Sequence, residues 1–287
     1  MFDWLIVGAG FAGSVLAERL ANETDARILI IDRRLHVGGN TYDRFDKSGV
    51  LVPSYGRHVL QTTDERVLGY LSRFADWLPY EPAGEQKRQD VSRFADRDGE
   101  PLVPAKGYAN LFERMLESPN IKIMLNVDYA EVQSVIPFRR VIYTGSLDEY
   151  FDHCYGKLPY WSADFSQAAP HHSLADDVIG GDIILGRPEN EGGYPLAEES
   201  SRALFRRYKD LADAAVNVFF TGRLPTYRYC TMDEVVAQSL ALFDRIGGER
   251  AEHGMLPDVA PKKRERRDGG VAAGGFSAAT LLPAVSA

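Results

Sequence analysis

Three glycines lie near the start of this chain, where an apolar segment gives way to a helical pattern. Residues 4–7 are apolar, Gly8, Gly10 and Gly13 follow, and apolar side chains then recur at helical spacing. Here Gly8 permits a sharp turn, Gly10 lets the backbone approach a pyrophosphate, and Gly13 lets the helix pack closely on the strand. The N–H groups of the first helical turn then face the phosphates without help from a basic side chain. The pattern predicts a strand, turn and helix that bind a dinucleotide, rather than glycines that merely turn an ordinary loop.

An acidic residue and a second glycine pair follow at informative distances. Asp32 closes an apolar segment about twenty residues after the glycines, where a carboxylate accepts both ribose hydroxyls and repels a 2′-phosphate, so NADP is disfavoured. Gly38 and Gly39 then leave another strip of backbone open to a cofactor, unless they form only a surface turn. A plain nicotinamide domain does not need this strip, which resembles the FAD-binding N-terminus of glutathione-reductase-like flavoproteins. The sequence therefore favours FAD over NAD.

Composition excludes several other classes of protein. The 287 residues, 45% hydrophobic and 26% charged, suit one large or two modest globular domains. No apolar run approaches the ~18 residues of a membrane span and no basic leader precedes the first strand, so we expect a cytoplasmic protein with no membrane span. The net charge of −8 disfavours a nucleic-acid partner. The basic run at residues 262–267 is interpreted as a solvated linker, with a nuclear signal or membrane contact as the alternatives.

Cysteine and histidine usage argues against a metal or disulfide framework. Cys154 and Cys230 are the only cysteines, no CxxC motif occurs, and both are expected to be buried or half-buried. His171 and His172 are adjacent and lack a third ligand, which favours a surface pair over a metal site.

Hydrophobic periodicity predicts alternating helices and strands along the rest of the chain. Helices are predicted at residues 64–78, 107–116, 198–211 and 233–246, and strands at residues 121–125, 140–145 and 216–222, the last of them buried. A loop or short strands are expected at residues 162–200, and a largely disordered tail at residues 247–287.

Five motifs occur in order along the chain: residues 8–13, residues 36–40, residues 55–58, residues 143–145 with Asp148, and residues 222–224 with residues 227–229 and 232–233. Together they resemble bacterial UDP-galactopyranose mutase. The similarity covers most of residues 1–160 and 194–246. It implies an α/β fold, a Rossmann-like FAD-binding domain of the glutathione-reductase type with a reduced α+β substrate region.

The resemblance also implies a division of the chain. Residues 1–104 form the N-terminal FAD-binding part, 105–160 return to its sheet, 161–200 are a remnant of the substrate region, 201–246 are the C-terminal FAD-binding part, and 247–287 are the tail.

The family interconverts UDP-galactopyranose and UDP-galactofuranose and so supplies galactofuranose for cell-wall polysaccharides. The resemblance implies FAD that is active when reduced, with flavin N5 attacking the anomeric carbon to form an adduct, a UDP-galactose substrate, and the option of a homodimer. The expected FAD contacts are Gly8, Gly10, Phe11, Ala12, Gly13, Asp32, Arg33, Gly39, Asn40, His58, Val59, Arg223, Met232, Asp233 and Val235. His58 and Arg223 are the candidate catalytic residues, and Tyr194 and Tyr229 are the candidate substrate contacts.

Simpler interpretations of these side chains stay open. His58 could be a satisfied core histidine, and each tyrosine could be ordinary packing.

The sequence departs from the family where the substrate should bind. The family inserts a helical segment, with a lid and an essential arginine, where this chain has only Ala105 and Lys106. A second essential arginine is expected between Tyr160 and Tyr194, and that interval offers only Arg187, outside the family's motif. Two alternatives therefore stand beside the mutase: a FAD-dependent oxidoreductase of the amine-oxidase-like superfamily, and a non-catalytic flavin-binding remnant.

Overall fold

A five-stranded parallel sheet forms the centre of the molecule. The computed structural model describes residues 1–81, 98–161, 194–195 and 199–253. The strands of the sheet, in spatial order, are β11 (Val218–Phe220), β8 (Phe138–Tyr143), β1 (Phe2–Val7), β2 (Ile28–Asp32) and β7 (Ile121–Leu125). All neighbouring strands in this sheet are parallel. The chain runs outward from β1 through β2 to β7 and then returns to the other side of β1, so the strand order reverses between β1 and β8.

Eight helices are described around the sheet and the short strands. They are α1 (Phe11–Thr24), α2 (Glu65–Leu71), α3 (Gly107–Met115), α4 (Tyr129–Val132), α5 (Leu147–Tyr150), α6 (Glu199–Asp213), α7 (Arg223–Thr226) and α8 (Met232–His253), with a 3₁₀ turn at Gly39–Thr41. Three two-stranded antiparallel sheets pair β3 (Asp43–Phe45) with β4 (Leu51–Pro53), β5 (Trp77–Pro79) with β6 (Leu102–Pro104), and β9 (Tyr160–Trp161) with β10 (Tyr194–Pro195).

Alternation along β1 builds a core on each face of the sheet. Trp4 and Ile6 are fully buried in the cluster that includes residues of α1 and α8. Leu5 belongs to the opposite cluster, with Val141 of β8. Because successive strand residues point to opposite faces, a strand buried on both sides is apolar throughout, as residues 4–7 are.

The predicted α/β fold with a Rossmann-like parallel sheet is confirmed. The helices at residues 107–116 and 198–211 and the strands at residues 121–125 and 140–145 are present within two residues of the predicted bounds.

The predicted helix at residues 64–78 is wrong in length. Asp64 accepts hydrogen bonds from the N–H groups of Arg66 and Val67 and so caps α2, which ends at Leu71. Trp77–Pro79 is instead a strand paired with Leu102–Pro104. Local periodicity misses this pairing because the partner strand lies more than twenty residues further along the chain.

Three smaller expectations also fail. The strand predicted at residues 216–222 is shorter and only half-buried, since β11 is the edge of the sheet. The last helix passes through Gly247 and Gly248 to His253, beyond the predicted end at residue 246. Cys230 is buried as expected, but Cys154 is exposed. The expectations for residues 162–193 and 254–287 lie outside the described residues, and the division into domains stays a prediction.

Candidate functional site

The glycine turn, residues 8–13, leaves the start of α1 open at the carboxyl end of β1. Gly8 has a φ of +104°, a conformation that favours glycine, and Gly10 precedes the helix without any side-chain cap. No acidic side chain occupies the first turn, and no acceptor within the described chain takes the N–H groups of Phe11, Ala12 or Gly13. These N–H groups and the positive end of the helix dipole form a site suited to a phosphate group.

Gly13 is required by packing. A Cβ atom at this position would lie 1.9 Å from the carbonyl oxygen of Gly8. The helix therefore approaches the turn as closely as the sequence pattern predicts.

Asp32 lies beside the glycine turn and orders it. Its Oδ2 atom accepts a hydrogen bond from the N–H of Ala9 at 2.8 Å, and its Oδ1 atom accepts one from the N–H of Arg34 at 2.8 Å. The residue is 9% exposed, at the carboxyl end of β2. Since each carboxylate oxygen has two acceptor positions, both oxygens can still accept a ribose hydroxyl.

The second glycine pair packs directly against the first turn. Gly38 donates its N–H to the carbonyl of Ala9 at 2.8 Å, and a Cβ atom on Gly39 would lie 3.1 Å from Cα of Gly10. Asn40 accepts a hydrogen bond from the Arg34 guanidinium at 2.8 Å. The two backbone strips predicted to approach a cofactor are therefore neighbours in space.

Arg33, which follows Asp32, forms an ion pair with Glu149. Its Nη2 atom lies 2.7 Å from Oε2 of Glu149, and half of its side chain is exposed. Burial alone would lower the pKa of the Arg33 guanidinium, but the hydrogen bond and charge of Glu149 outweigh burial and hold the pKa above its usual value. A cofactor contact by Arg33 therefore has to coexist with, or break, this pair.

Arg223 begins α7 close to the start of α1. The preceding Gly222 has a φ of +95°, and a Cβ atom there would lie 3.2 Å from Cβ of Ala12. The parallel strands β11, β8 and β1 all end at this edge of the sheet. The structure thus brings Arg223 and the glycine turn together, which sequence spacing alone could not establish.

His58 and Val59 are half-buried, on the segment between β4 and α2. His58 Nδ1 lies 3.0 Å from the Gly56 carbonyl oxygen and the His58 carbonyl accepts the Tyr108 hydroxyl at 3.1 Å. Because a carbonyl oxygen can only accept a hydrogen bond, Nδ1 carries the ring proton. In a neutral ring, Nε2 is then the nitrogen that can accept a hydrogen bond.

The start of α8 borders an open cleft. The N–H of Thr231 donates to Glu234 at 2.8 Å, while Met232 and Val235 pack on the apolar cluster that contains Phe11. The cleft has a volume of about 470 Å³, and its walls include the exposed side chain of Tyr229.

Three carboxylates line this cleft, from Asp98, Asp233 and Glu234, and no lysine or arginine of the described residues does. We refer to it as the acidic cleft. It opposes the binding of an anionic group unless a cation is supplied from elsewhere.

Tyr194 lies in a different place from Tyr229. The backbone of Tyr194 pairs with Trp161 in the β9–β10 sheet, and β10 lies against α7. The backbone of Tyr194 therefore lies near the helix that Arg223 begins, whereas Tyr229 lines the acidic cleft.

The connection from β6 to α3 consists of two residues. Ala105 and Lys106 link Pro104 to Gly107, and the carboxylate of Asp43 caps α3 by accepting the N–H groups of Tyr108 at 2.7 Å and Ala109 at 2.8 Å. No helical segment separates these elements. Sequence reasoning did not identify the Asp43 cap, because the cap comes from a strand 65 residues before the helix.

Thr144 is another residue of the site that sequence reasoning left without a role. Its hydroxyl donates to the carbonyl of Val7 at 2.7 Å, next to the glycine turn. The only signal in the sequence is its place in the segment of residues 143–145 that carries part of the resemblance.

The fold and the glycine turn define a dinucleotide-binding protein of the Rossmann class, and comparisons with known proteins agree. Residues 6–74 match the model of the NAD(P)-binding Rossmann-like domain, and residues 89–179 and 182–229 match the model of UDP-galactopyranose mutase. The chain is 24% identical over 373 aligned positions to a probable UDP-galactopyranose mutase of Klebsiella pneumoniae, with 88% of this chain and 97% of the relative covered.

Two further proteins are similar over most of their length. A dTDP-fucopyranose mutase of Escherichia coli is 24% identical, with 82% of this chain and 96% of the relative covered. A crystal structure of reduced UDP-galactopyranose mutase has a TM-score of 0.55 at 12% identity, covering 86% of this chain and 94% of that one, and shows a shared fold.

The chain is thus similar to UDP-galactopyranose mutases over most of its length, at low sequence identity. The alignment to the Klebsiella protein is longer than the 287 residues of this chain, so that relative has internal segments that this chain lacks. The two-residue connection at residues 105–106 lies at the position where the resemblance predicts one of them.

Within the described chain, no group of three or more histidine, cysteine, aspartate or glutamate side chains is arranged to hold a metal ion. None of its helices has both the length and the apolar character needed to span a bilayer.

Proposed function

We propose that this protein binds FAD along the glycine turn and is a mutase-type flavoprotein, whose reaction interconverts UDP-galactopyranose and UDP-galactofuranose. One observation carries the proposal: the uncapped start of α1 lies between two glycine strips and beside the Asp32 carboxylate. The match of residues 89–229 to the mutase model, with a break of two residues, supports the choice of reaction.

The residues present fit the cofactor. Main-chain N–H groups of Phe11, Ala12 and Gly13 would bind the diphosphate, and Asp32 would accept the ribose hydroxyls. Reduced FAD supplies the nucleophile for the ring interconversion. Met232 and Val235 would pack against the flavin, and His58 would lie at its edge.

Arg223 would compensate the negative charge of a diphosphate, because it begins a helix that touches the first turn of α1. Four further parts of the proposal rest on the resemblance. They are contacts of Tyr194 and Tyr229 with the substrate diphosphate, a cytoplasmic location, a homodimer and a role in cell-wall polysaccharide synthesis.

Turnover by the reduced protein tests this proposal directly. The purified chain is loaded with FAD, reduced with dithionite and supplied with UDP-galactofuranose, and UDP-galactopyranose is measured by chromatography. We expect conversion above a heat-killed control. We also expect Arg223→Ala to lower the rate at least tenfold, and Arg66→Ala, which breaks an exposed pair with Asp244, to leave it unchanged. Equal rates for the two variants would show that Arg223 has no role in the reaction.

A second candidate is a flavin-binding protein without nucleotide-sugar turnover. The two-residue connection before α3 and the acidic cleft favour it, because the connection contains no arginine and no lysine or arginine of the described residues lines the cleft. FAD binding without conversion, and without heat on titration with UDP-galactose, would select this candidate. Substrate-dependent bleaching of the flavin by an amine would instead select the oxidoreductase.

A further inference from the structure

Thr144 lies where the strand order of the central sheet reverses. β1 and β8 are parallel neighbours, Val7 is paired with Tyr143, and Thr144 and Gly8 follow directly at their carboxyl ends. The chain leaves β1 toward β2 on one side and returns to β8 on the other. Ligands of open α/β sheets bind at such reversal points, so the contacts made here decide the shape of the site.

The Thr144 side chain holds the end of β1 in place. Its hydroxyl donates to the carbonyl of Val7 at 2.7 Å, and its N–H donates to the same carbonyl at 3.1 Å. One carbonyl therefore accepts two hydrogen bonds from one residue. The Val7 carbonyl belongs to the peptide unit that joins Val7 to Gly8, so these bonds fix the direction in which the glycine turn leaves the strand.

The hydroxyl also fills the space that a side chain on Gly8 would need. A Cβ atom at Gly8 would lie 2.0 Å from Oγ1 of Thr144. The glycine at the turn and the threonine at the end of β8 are thus complementary: Gly8 supplies a φ of +104°, and Thr144 packs over its open face.

Thr144 also lies close to Gly222, at the end of β11. A Cβ atom on Gly222 would lie 4.0 Å from Cβ of Thr144 and 3.2 Å from Cβ of Ala12. Arg223 follows Gly222 directly. One half-buried side chain therefore packs between the turn that precedes α1 and the glycine that positions Arg223.

We infer that Thr144 is a positioning residue, which sets the glycine turn and Arg223 at the separation that a cofactor diphosphate requires. The inference rests on the proposed binding of FAD and extends it to a residue that would touch no part of the cofactor.

Substitution by valine and serine separates the hydroxyl from the shape of the side chain. Valine keeps the shape, but a carbon needs about 3.3 Å or more from an oxygen, so the Val7 carbonyl must move away and carry Gly8 with it. Serine keeps the hydroxyl. The matched control is Thr24→Val, because the Thr24 hydroxyl also donates to a backbone carbonyl, that of Leu20 at 2.6 Å, but at the far end of α1.

The experiment measures the dissociation constant for FAD by calorimetry and the melting temperature without FAD for the four proteins. We expect Thr144→Val to weaken FAD binding about tenfold, Thr144→Ser to retain binding within about threefold, and Thr24→Val to bind FAD as the unmodified protein does. The two valine variants should melt at similar temperatures without FAD, which shows that the loss of affinity is not general destabilisation.

Three results would overturn the inference. Unchanged affinity in Thr144→Val, or an equal loss in Thr24→Val, contradicts it while leaving FAD binding intact. A failure of the unmodified protein to bind FAD contradicts both the inference and the proposed function.

Discussion

At the residue scale, the site depends on glycines, because a Cβ atom would not fit at these positions. The chain could not pass from β1 to α1 along this path with a Cβ atom at Gly13, because that atom would overlap the carbonyl oxygen of Gly8. The neighbouring polar groups are already engaged in fixing the turn: Asp32 accepts from Ala9 and Arg34, and Gly38 donates to Ala9. The N–H groups of the first helical turn, which we propose bind the cofactor diphosphate, are what remains available.

Replacement of Gly13 by alanine tests this packing. We expect Gly13→Ala to lower the free energy of unfolding by about 1–3 kcal/mol, because the new methyl group overpacks the turn. Gly69→Ala is the matched control, since Gly69 is also helical and a Cβ atom there would have no heavy atom within 4 Å apart from those of its own helix. Alanine there should raise the free energy of unfolding by about 0.5–1 kcal/mol. Urea denaturation measures both, and a neutral Gly13→Ala would contradict the close approach of helix and turn.

At the element scale, a buried carboxylate joins α1 to α2. Glu18 is fully buried, and it accepts hydrogen bonds from the Tyr70 hydroxyl at 2.9 Å and from the guanidinium groups of Arg19 and Arg73. Burial alone would raise the pKa of Glu18, but its hydrogen bonds to Arg19 and Asn22 hold the pKa below the usual value. The carboxylate therefore stays ionised, and it satisfies the hydroxyl of a tyrosine that is 6% exposed.

Removal of this carboxylate should loosen the two helices. We expect Glu18→Ala to lower the free energy of unfolding by about 2–4 kcal/mol, because Tyr70 is left with a buried hydroxyl, Arg73 loses its carboxylate and Arg19 keeps only its pair with Glu23. The control is Glu23→Ala, which breaks an exposed pair with the same Arg19 and should cost less than about 0.5 kcal/mol. Chemical denaturation of the two variants would reject the network if the losses were equal.

Local sequence signals predicted some elements and missed others for physical reasons. The strands of the central sheet, apart from the shorter β11, were predicted near their observed bounds because each carries its own apolar run. β5 and β6 were missed because their pairing is distant in sequence, and the Asp43 cap on α3 was missed for the same reason. The glycine turn and Asp32 were found from spacing, whereas the positions of Arg223 and Thr144 depend on how strands that are distant in sequence align.

At the scale of the whole molecule, buried tyrosines set the response to alkaline pH. Burial, followed by the charge of Asp43, raises the pKa of Tyr108, and burial, followed by the charge of Glu149, raises the pKa of Tyr143. A folded-state pKa above the ordinary value of about 10 means that the unfolded chain loses its protons first as the pH rises. Stability is then fully present below about pH 10 and falls above it.

Thermal unfolding across this pH range checks that prediction. We expect the melting temperature to be nearly constant between about pH 8 and 9.5 and to fall steeply above about pH 10. Tyr108→Phe should make the fall shallower, whereas Tyr229→Phe should not, because Tyr229 is 57% exposed. Identical slopes for the two variants would show that the Tyr108 phenol does not govern the alkaline loss.

The elements expected to bind the cofactor and those expected to bind the substrate are separate parts of the molecule, so cofactor binding and turnover are tested separately. The central sheet, the glycine turn and the end of β11 are all present, and these are the parts that a dinucleotide needs. The connection before α3 is reduced to two residues, and the cleft at the start of α8 is acidic. A protein with this structure can bind the cofactor whether or not it converts a nucleotide sugar.

Calorimetric titration of the FAD-free protein with FAD tests whether a cofactor binds at the glycine turn. We expect saturable binding at one site per chain, weakened at least tenfold by Asp32→Ala. The exposed helix cap Asp64 supplies the matched control, and Asp64→Ala should leave the affinity unchanged. An absence of binding, or equal affinity in the unmodified protein and Asp32→Ala, would contradict a cofactor seated on the glycine turn.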